Sequence, residues 1–175
     1  MKKFASLRVS LCVIGLLVCS SFASAEVLRV VVHDTIQPIS AEYISRAIAE
    51  AARRNDQAVL IEINTPGGLV SSTREIIERI STSPVPVIVY VTPTGGHAGS
   101  AGIFILESAD IAAMAPGTAA GAAHPVALIG PVQLKPDDEM KRKMENDTAA
   151  LIRSVASKRG RNVDAAEEIH SGAPK

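Results

Sequence analysis

The sequence predicts an α/β fold: a mostly parallel sheet with helices on both faces. Three observations carry that prediction. Short β-branched runs alternate with amphipathic helical stretches along most of the 175 residues. Two glycine-rich turns close successive strands at the same sheet edge, where the sites of such folds gather. The 47% apolar content comes mostly from Ala, Val, Ile and Leu, with 3% aromatics and no Trp, which suits a tightly packed α/β core.

Taken in order, Val27 to Val32 reads as a buried strand ending at His33-Asp34-Thr35. Ser40 is placed to cap a helix from Ala41 to about Arg54, whose Tyr43, Ile44, Ala47, Ile48 and Ala51 share a face. Residues 58 to 63 form a second strand, closed by Asn64-Thr65-Pro66-Gly67-Gly68 and followed by a helix from about Ser71 to Ile80. A third strand, Val85 to Val91, runs into Gly95-Gly96-His97-Ala98-Gly99-Ser100-Ala101-Gly102 and then a buried helix from Ser100 to Ser108. Residues 110 to 115 form a fourth strand, closed by Pro116-Gly117-Thr118. A Gly/Ala/Pro-rich stretch to about Pro136 reads as loop with one short strand. An amphipathic helix from about Asp137 to Arg159 and a last one from Val163 to about Ile169 complete the chain.

Composition narrows the function. Lys plus Arg and Asp plus Glu both number 18, with no basic block, which argues against a nucleic-acid partner. Lys2 and Lys3, the apolar stretch Leu11 to Val18 and the small-x-small triplet Ala23-Ser24-Ala25 read as a signal peptide over residues 1–25, with a retained membrane anchor as the alternative. The domain is then 26–175 and exported. Cys12 and Cys19 both lie in the leader, so the mature domain has no disulfide, cysteine nucleophile or thiolate metal site. His33 and His170 have no partner at metal-ligand spacing, and nothing in the sequence calls for a cofactor.

The chemistry concentrates at Ser100. Small residues around one serine let the backbone turn sharply and present its hydroxyl from a strand-to-helix junction; a turn made only for close packing is the alternative. A nucleophilic serine needs backbone N–H donors where negative charge develops. The N–H groups of Gly68 and Ala101 are the candidates, facing one another across a cleft also bordered by Gly67. Gly67-Gly68 matches neither a dinucleotide fingerprint nor a Walker pattern, which disfavours phosphate binding.

Three strings in this order, Ile63-Asn64-Thr65-Pro66-Gly67-Gly68, His97-Ala98-Gly99-Ser100-Ala101-Gly102 and Ala113-Met114-Ala115-Pro116-Gly117-Thr118, resemble the N-terminal protease domain of NfeD-type membrane-bound serine proteases, within the wider ClpP/crotonase-like fold. The resemblance runs from about Val27 to the C-terminus. It implies Ser100 as nucleophile, Gly68 and Ala101 as the oxyanion hole, and Lys143 as the base. A lysine base must be held neutral by burial. Periodicity points elsewhere: Met144, Thr148, Leu151, Ile152 and Val155 form the apolar stripe, on which Lys141 falls while Lys143 lies on its flank. His124, near where ClpP proteases carry their triad histidine, is the rival base, without an evident orienting acid. His97 is expected to line the cleft.

The sequence departs from the family at Gly99, where many relatives have alanine, and in length, since relatives continue into transmembrane helices and a small β-barrel; the chain is expected to be incomplete at its C-terminus. The function implied is an exported serine endopeptidase cutting apolar peptide segments near a membrane. Its substrate would be a stomatin-like protein, bound by strand addition beside Gly68. The complete protein is implied to be a homodimer, attached to the membrane through a region absent from this chain. A catalytically inactive ClpP-like binding or scaffold domain is the alternative from another class. A crotonase-like acyl-CoA enzyme is a third, disfavoured by export.

Overall fold

A computed structural model describes residues 26–121, 127–129, 132–134 and 138–171. The signal peptide expected over residues 1–25 and His124 lie outside the described residues. Four parallel strands, β1 (Val27–Val32), β2 (Ala58–Ile63), β3 (Val87–Val91) and β5 (Ile111–Met114), form one sheet in the order β1-β2-β3-β5. Between them run helices α1 (Pro38–Arg54), α2 (Val70–Ser81) and α3 (Ala101–Ser108). The short β4 (His97–Gly99) pairs in parallel with β6 (Ala119–Gly121), and β7 (Ala127–Ile129) with β8 (Val132–Leu134) makes a separate hairpin. The chain ends in α4 (Asp138–Lys158) and α5 (Val163–Ser171).

The predicted fold class is borne out, with one correction to how the sheet is covered. Val30, Val32, Val59, Ile61, Ile63, Val87, Val89 and Val91 share one face and are buried with Ile44, Ile76, Ile103 and Ile105 from α1, α2 and α3. Residues on the other face, including Val27, Arg29, Val31, Glu62, Tyr90 and Ile111, are exposed or half-buried. Period-2 alternation therefore separates a covered face from an open one, and the apolar Val27, Val31 and Ile111 on the open face mimic strands covered on both sides. Arg29 and Glu62 pair there through two 2.7 Å bonds, which hold the Glu62 carboxyl below its ordinary range.

Local chemistry shifts some boundaries. The first helix begins at Pro38, whose ring fixes a helical φ, so Gln37 takes the capping position and Ser40 sits inside, its Oγ accepting the Gln37 N–H at 3.3 Å. β3 begins at Val87 because Pro86 has no N–H to give the ladder. The region read as loop with one strand holds three short strands.

Candidate active site

The first glycine turn is clamped onto β4. Thr65 N–H donates to His97 O at 2.8 Å, Gly99 N–H to Thr65 O at 2.9 Å, and His97 N–H to Asn64 Oδ1 at 3.1 Å. Within the turn, Gly67 N–H donates to the buried Thr65 Oγ1 at 3.1 Å. Ile36 N–H donates to Gly67 O at 2.8 Å and Leu69 N–H to Ile36 O at 2.9 Å, pinning the segment on its other side. The intervening Gly68 N–H is left facing away from that ladder, and it donates to no described residue.

The second turn delivers Ser100 against the first. Gly67 adopts φ +123°, and a Cβ there would stand 2.5 Å from Ser100 Cβ and 3.0 Å from its Oγ, so only glycine lets the two turns meet. Ser100 takes φ 46°, ψ −111°, a conformation that costs a non-glycine residue about 1–3 kcal/mol. A serine before a helix usually spends its hydroxyl on capping. Ser100 does not: its side chain caps nothing in α3, and its hydroxyl has no partner among the described residues. Its N–H donates to Gly121 O at 3.2 Å, fixing the elbow to β6. The next N–H, of Ala101, is one of the unsatisfied donors at the start of α3, where the helix dipole favours negative charge. A Cβ on Gly67 would lie 3.4 Å from that nitrogen. Hydroxyl, Gly68 N–H and Ala101 N–H thus converge on one cleft, the arrangement that stabilises an oxyanion.

A narrow recess opens beside them, lined by Gly68, Val70, Ser100, Phe104, Thr148 and Leu151 among others. Its wall on the α4 side is held by Arg74, which bonds Asp147 at 2.6 Å from α2. Thr148 Oγ1 donates back to its own helix at Met144 O and Glu145 O, both 3.0 Å, so its hydroxyl is occupied within α4. Thr148 and Leu151 belong to the apolar stripe of α4, and that stripe is the sequence signal for the recess they line. Thr65 as the clamp of the first turn had no such signal.

The structure brings Ser100, Gly67, Gly68, Ala101 and His97 together, and it places Lys143 elsewhere. Lys143 lies about 140° around α4 from Thr148 at 100° per residue. Its side chain is 68% exposed, with Nζ 2.6 Å from Glu139 Oε1. Lys141 is nearly in phase with Thr148 and reaches toward Glu145 at 3.9 Å. No group of His, Cys, Asp or Glu among the described residues could hold a metal ion, and no described helix is long and apolar enough to cross a membrane.

Comparison with known proteins gives this geometry its context. The family model described as NfeD1b, N-terminal domain, matches residues 26–172. The membrane-bound protease PH1510 of Pyrococcus horikoshii is 40% identical over 128 residues, and the membrane protein NfeD1b of Bacillus subtilis is 37% identical over 92. These alignments cover 73% and 53% of this chain but only 29% and 20% of those relatives. Two solved structures of the 1510-N membrane-bound stomatin-specific protease, a serine-to-alanine mutant and a lysine-to-alanine mutant in complex with a substrate peptide, match with TM-score 0.77 at 33% identity. They cover 86% of this chain and 72% and 68% of theirs. ClpP1 of Listeria monocytogenes matches with TM-score 0.60 at 22% identity over 81% of this chain and 77% of its own, a likeness of fold.

Proposed function

Because the chain belongs to the NfeD1b N-terminal domain family, we propose that it is an exported serine endopeptidase domain acting on apolar segments of membrane-associated proteins, with Ser100 as nucleophile. The observation that carries this reading is the strained Ser100 elbow, whose hydroxyl is unspent on capping and stands beside the free N–H groups of Gly68 and Ala101. Ser100 Oγ attacks the substrate carbonyl as a base takes its proton. The carbonyl oxygen, now negative, is held by Gly68 and Ala101, each such donor contributing about 3–4 kcal/mol to the transition state. Collapse of the tetrahedral intermediate expels the amine, which takes the proton the base received, and leaves an acyl-serine, which water hydrolyses. The apolar recess accepts the side chain on the acyl side of the bond.

We assign the base to Lys143, supported by the family resemblance and by the relatives whose mutated residues are a serine and a lysine. For Lys143 to act, its Nζ must leave Glu139, and the first turns of α4 must close over the recess when substrate fills it, so that burial keeps the amine neutral. A stomatin-like protein as substrate rests on the likeness to that stomatin-specific protease. A second reading, a binding domain without turnover, is favoured by one observation: in this arrangement Lys143 is exposed and ion-paired away from Ser100.

Hydrolysis of an apolar peptide by the wild-type chain and by Ser100→Ala, Lys143→Ala and His124→Ala variants tests the proposal. Loss of turnover in the Ser100 and Lys143 variants, with His124→Ala active, is the expected result. Turnover retained by Ser100→Ala refutes the enzyme reading, and loss in His124→Ala with Lys143→Ala active reassigns the base.

A further inference from the structure

A second, open groove meets the apolar recess at Ser100 and shares no other lining residue with it; its walls are Pro66, His97, Gly99, Ala119, Ala120 and Gly121. A peptide whose carbonyl lies at Ser100, with its acyl-side residue in the recess, continues into this groove with the residue after the bond to be cut. Every wall residue except His97 is small and uncharged or proline, so a side chain entering here meets one titratable group among the described residues. The backbone of His97 is bound on both sides of its peptide, to Asn64 and Thr65, while its exposed imidazole has no hydrogen-bond partner among the described residues.

The position of that ring is made possible by residue 99. Positions 97 and 99 of β4 face the same way. A Cβ on residue 99 would stand 3.0 Å from His97 Cδ2 and 3.2 Å from Nε2, so glycine there leaves room for the imidazole to lie along the strand toward Ser100. We propose that His97 is the specificity-determining residue of the leaving-group side, its imidazole receiving the carboxylate of an Asp or Glu that follows the scissile bond. The inference deepens the endopeptidase reading and rests on it for the direction of the bound chain. Among the described residues no other ionisable side chain lines the groove, so the imidazole N–H is the side-chain donor that meets an entering group, and a bond to a carboxylate is stronger than one to a neutral amide.

The test uses the Ser100→Ala chain and two fluorescent, C-terminally amidated peptides of one apolar sequence, differing only in Glu or Gln after the cleavage position. The Glu peptide is expected to bind about fivefold more tightly than the Gln peptide, and the difference to vanish when His97→Ala is added. Equal binding of the two peptides, a difference that survives His97→Ala, or failure of both peptides to bind overturns the inference. Wild-type turnover of the Gln peptide separates it from the reading beneath it. Turnover without the Glu preference leaves the endopeptidase standing and removes the role of His97. The preference without any turnover keeps the role of His97 in binding and removes the enzyme.

Discussion

At the start of α3 the backbone is strained, and the N–H groups of Gly68 and Ala101 are left unsatisfied around a serine that caps nothing; at its end, eight residues later, the carbonyls are saturated. Arg159 reaches from the end of α4 to Ser108 O at 2.6 Å and to the Asp110 carboxylate. Arg161 bonds Glu107 O and, at 3.0 Å, Ala109 O, while Ser108 Oγ donates to Ile105 O at 2.8 Å. Guanidinium groups at a helix C-terminus also meet the negative end of its dipole. The same short helix thus keeps its binding capacity unspent where a substrate would enter and spends it fully where the chain must be held. Rigidity at one end is what lets strain persist at the other.

Substitutions at the two ends should therefore separate activity from stability. The largest effect is expected from Ser100→Ala, which removes the proposed nucleophile: peptide turnover falls about 10⁴-fold or more while the denaturation midpoint stays put, as read by paired kinetics and urea melts. Next come Arg159→Ala and Arg161→Ala. Each strips half-buried carbonyls of charge-assisted bonds and is expected to lower unfolding free energy by about 2–3 kcal/mol, with turnover per folded molecule unchanged. An unchanged melt for both would mean that these bonds do not hold the end of α3. Ser100→Gly should raise stability by about 1 kcal/mol, since glycine adopts φ 46° without strain and loses only part of that gain to its larger unfolded-state freedom.

The smallest effect concerns Glu107, whose carboxyl is raised by burial, with Arg161 pulling the other way. A carboxyl raised in the folded state contributes stability that is full below its unfolded value and fades as pH rises through the folded one. Unfolding of Glu107→Gln followed from pH 4 to 8 should therefore show the variant gaining on the wild type as pH rises. A gain in the opposite direction would mean that the Arg161 pairing outweighs desolvation.

Much of this was legible in residues. The run at 58 to 63 is the strand observed, because alternating Val59, Ile61 and Ile63 fill the covered face. Ser100, Gly67, Gly68 and Ala101 meet as expected, since two glycine turns at one edge of a parallel sheet have little choice. β4 was hidden: His97-Ala98-Gly99 has no apolar alternation, and what makes it a strand is pairing to Thr65 on one side and β6 on the other, partners 33 and 22 residues away. The open sheet face was hidden too, because apolar side chains at Val27, Val31 and Ile111 look the same covered or bare. Lys143 marks the limit of pattern reading. The helical stripe put it on the flank of α4, and there it stands, so its proposed role depends on a movement that no single-chain periodicity encodes.

The proposed oxyanion site, Gly68 N–H and Ala101 N–H beside Ser100 Oγ, has a spectroscopic readout. The amide proton–nitrogen spectrum of the chain with an apolar peptide boronate tests it directly, since the boronate takes up the serine oxygen and becomes a tetrahedral anion. The amide protons of Gly68 and Ala101 are predicted to move downfield more than any others and to stay in place in Ser100→Ala. A boronate adduct that leaves those two resonances unmoved, or shifts that persist without the Ser100 hydroxyl, would contradict the account.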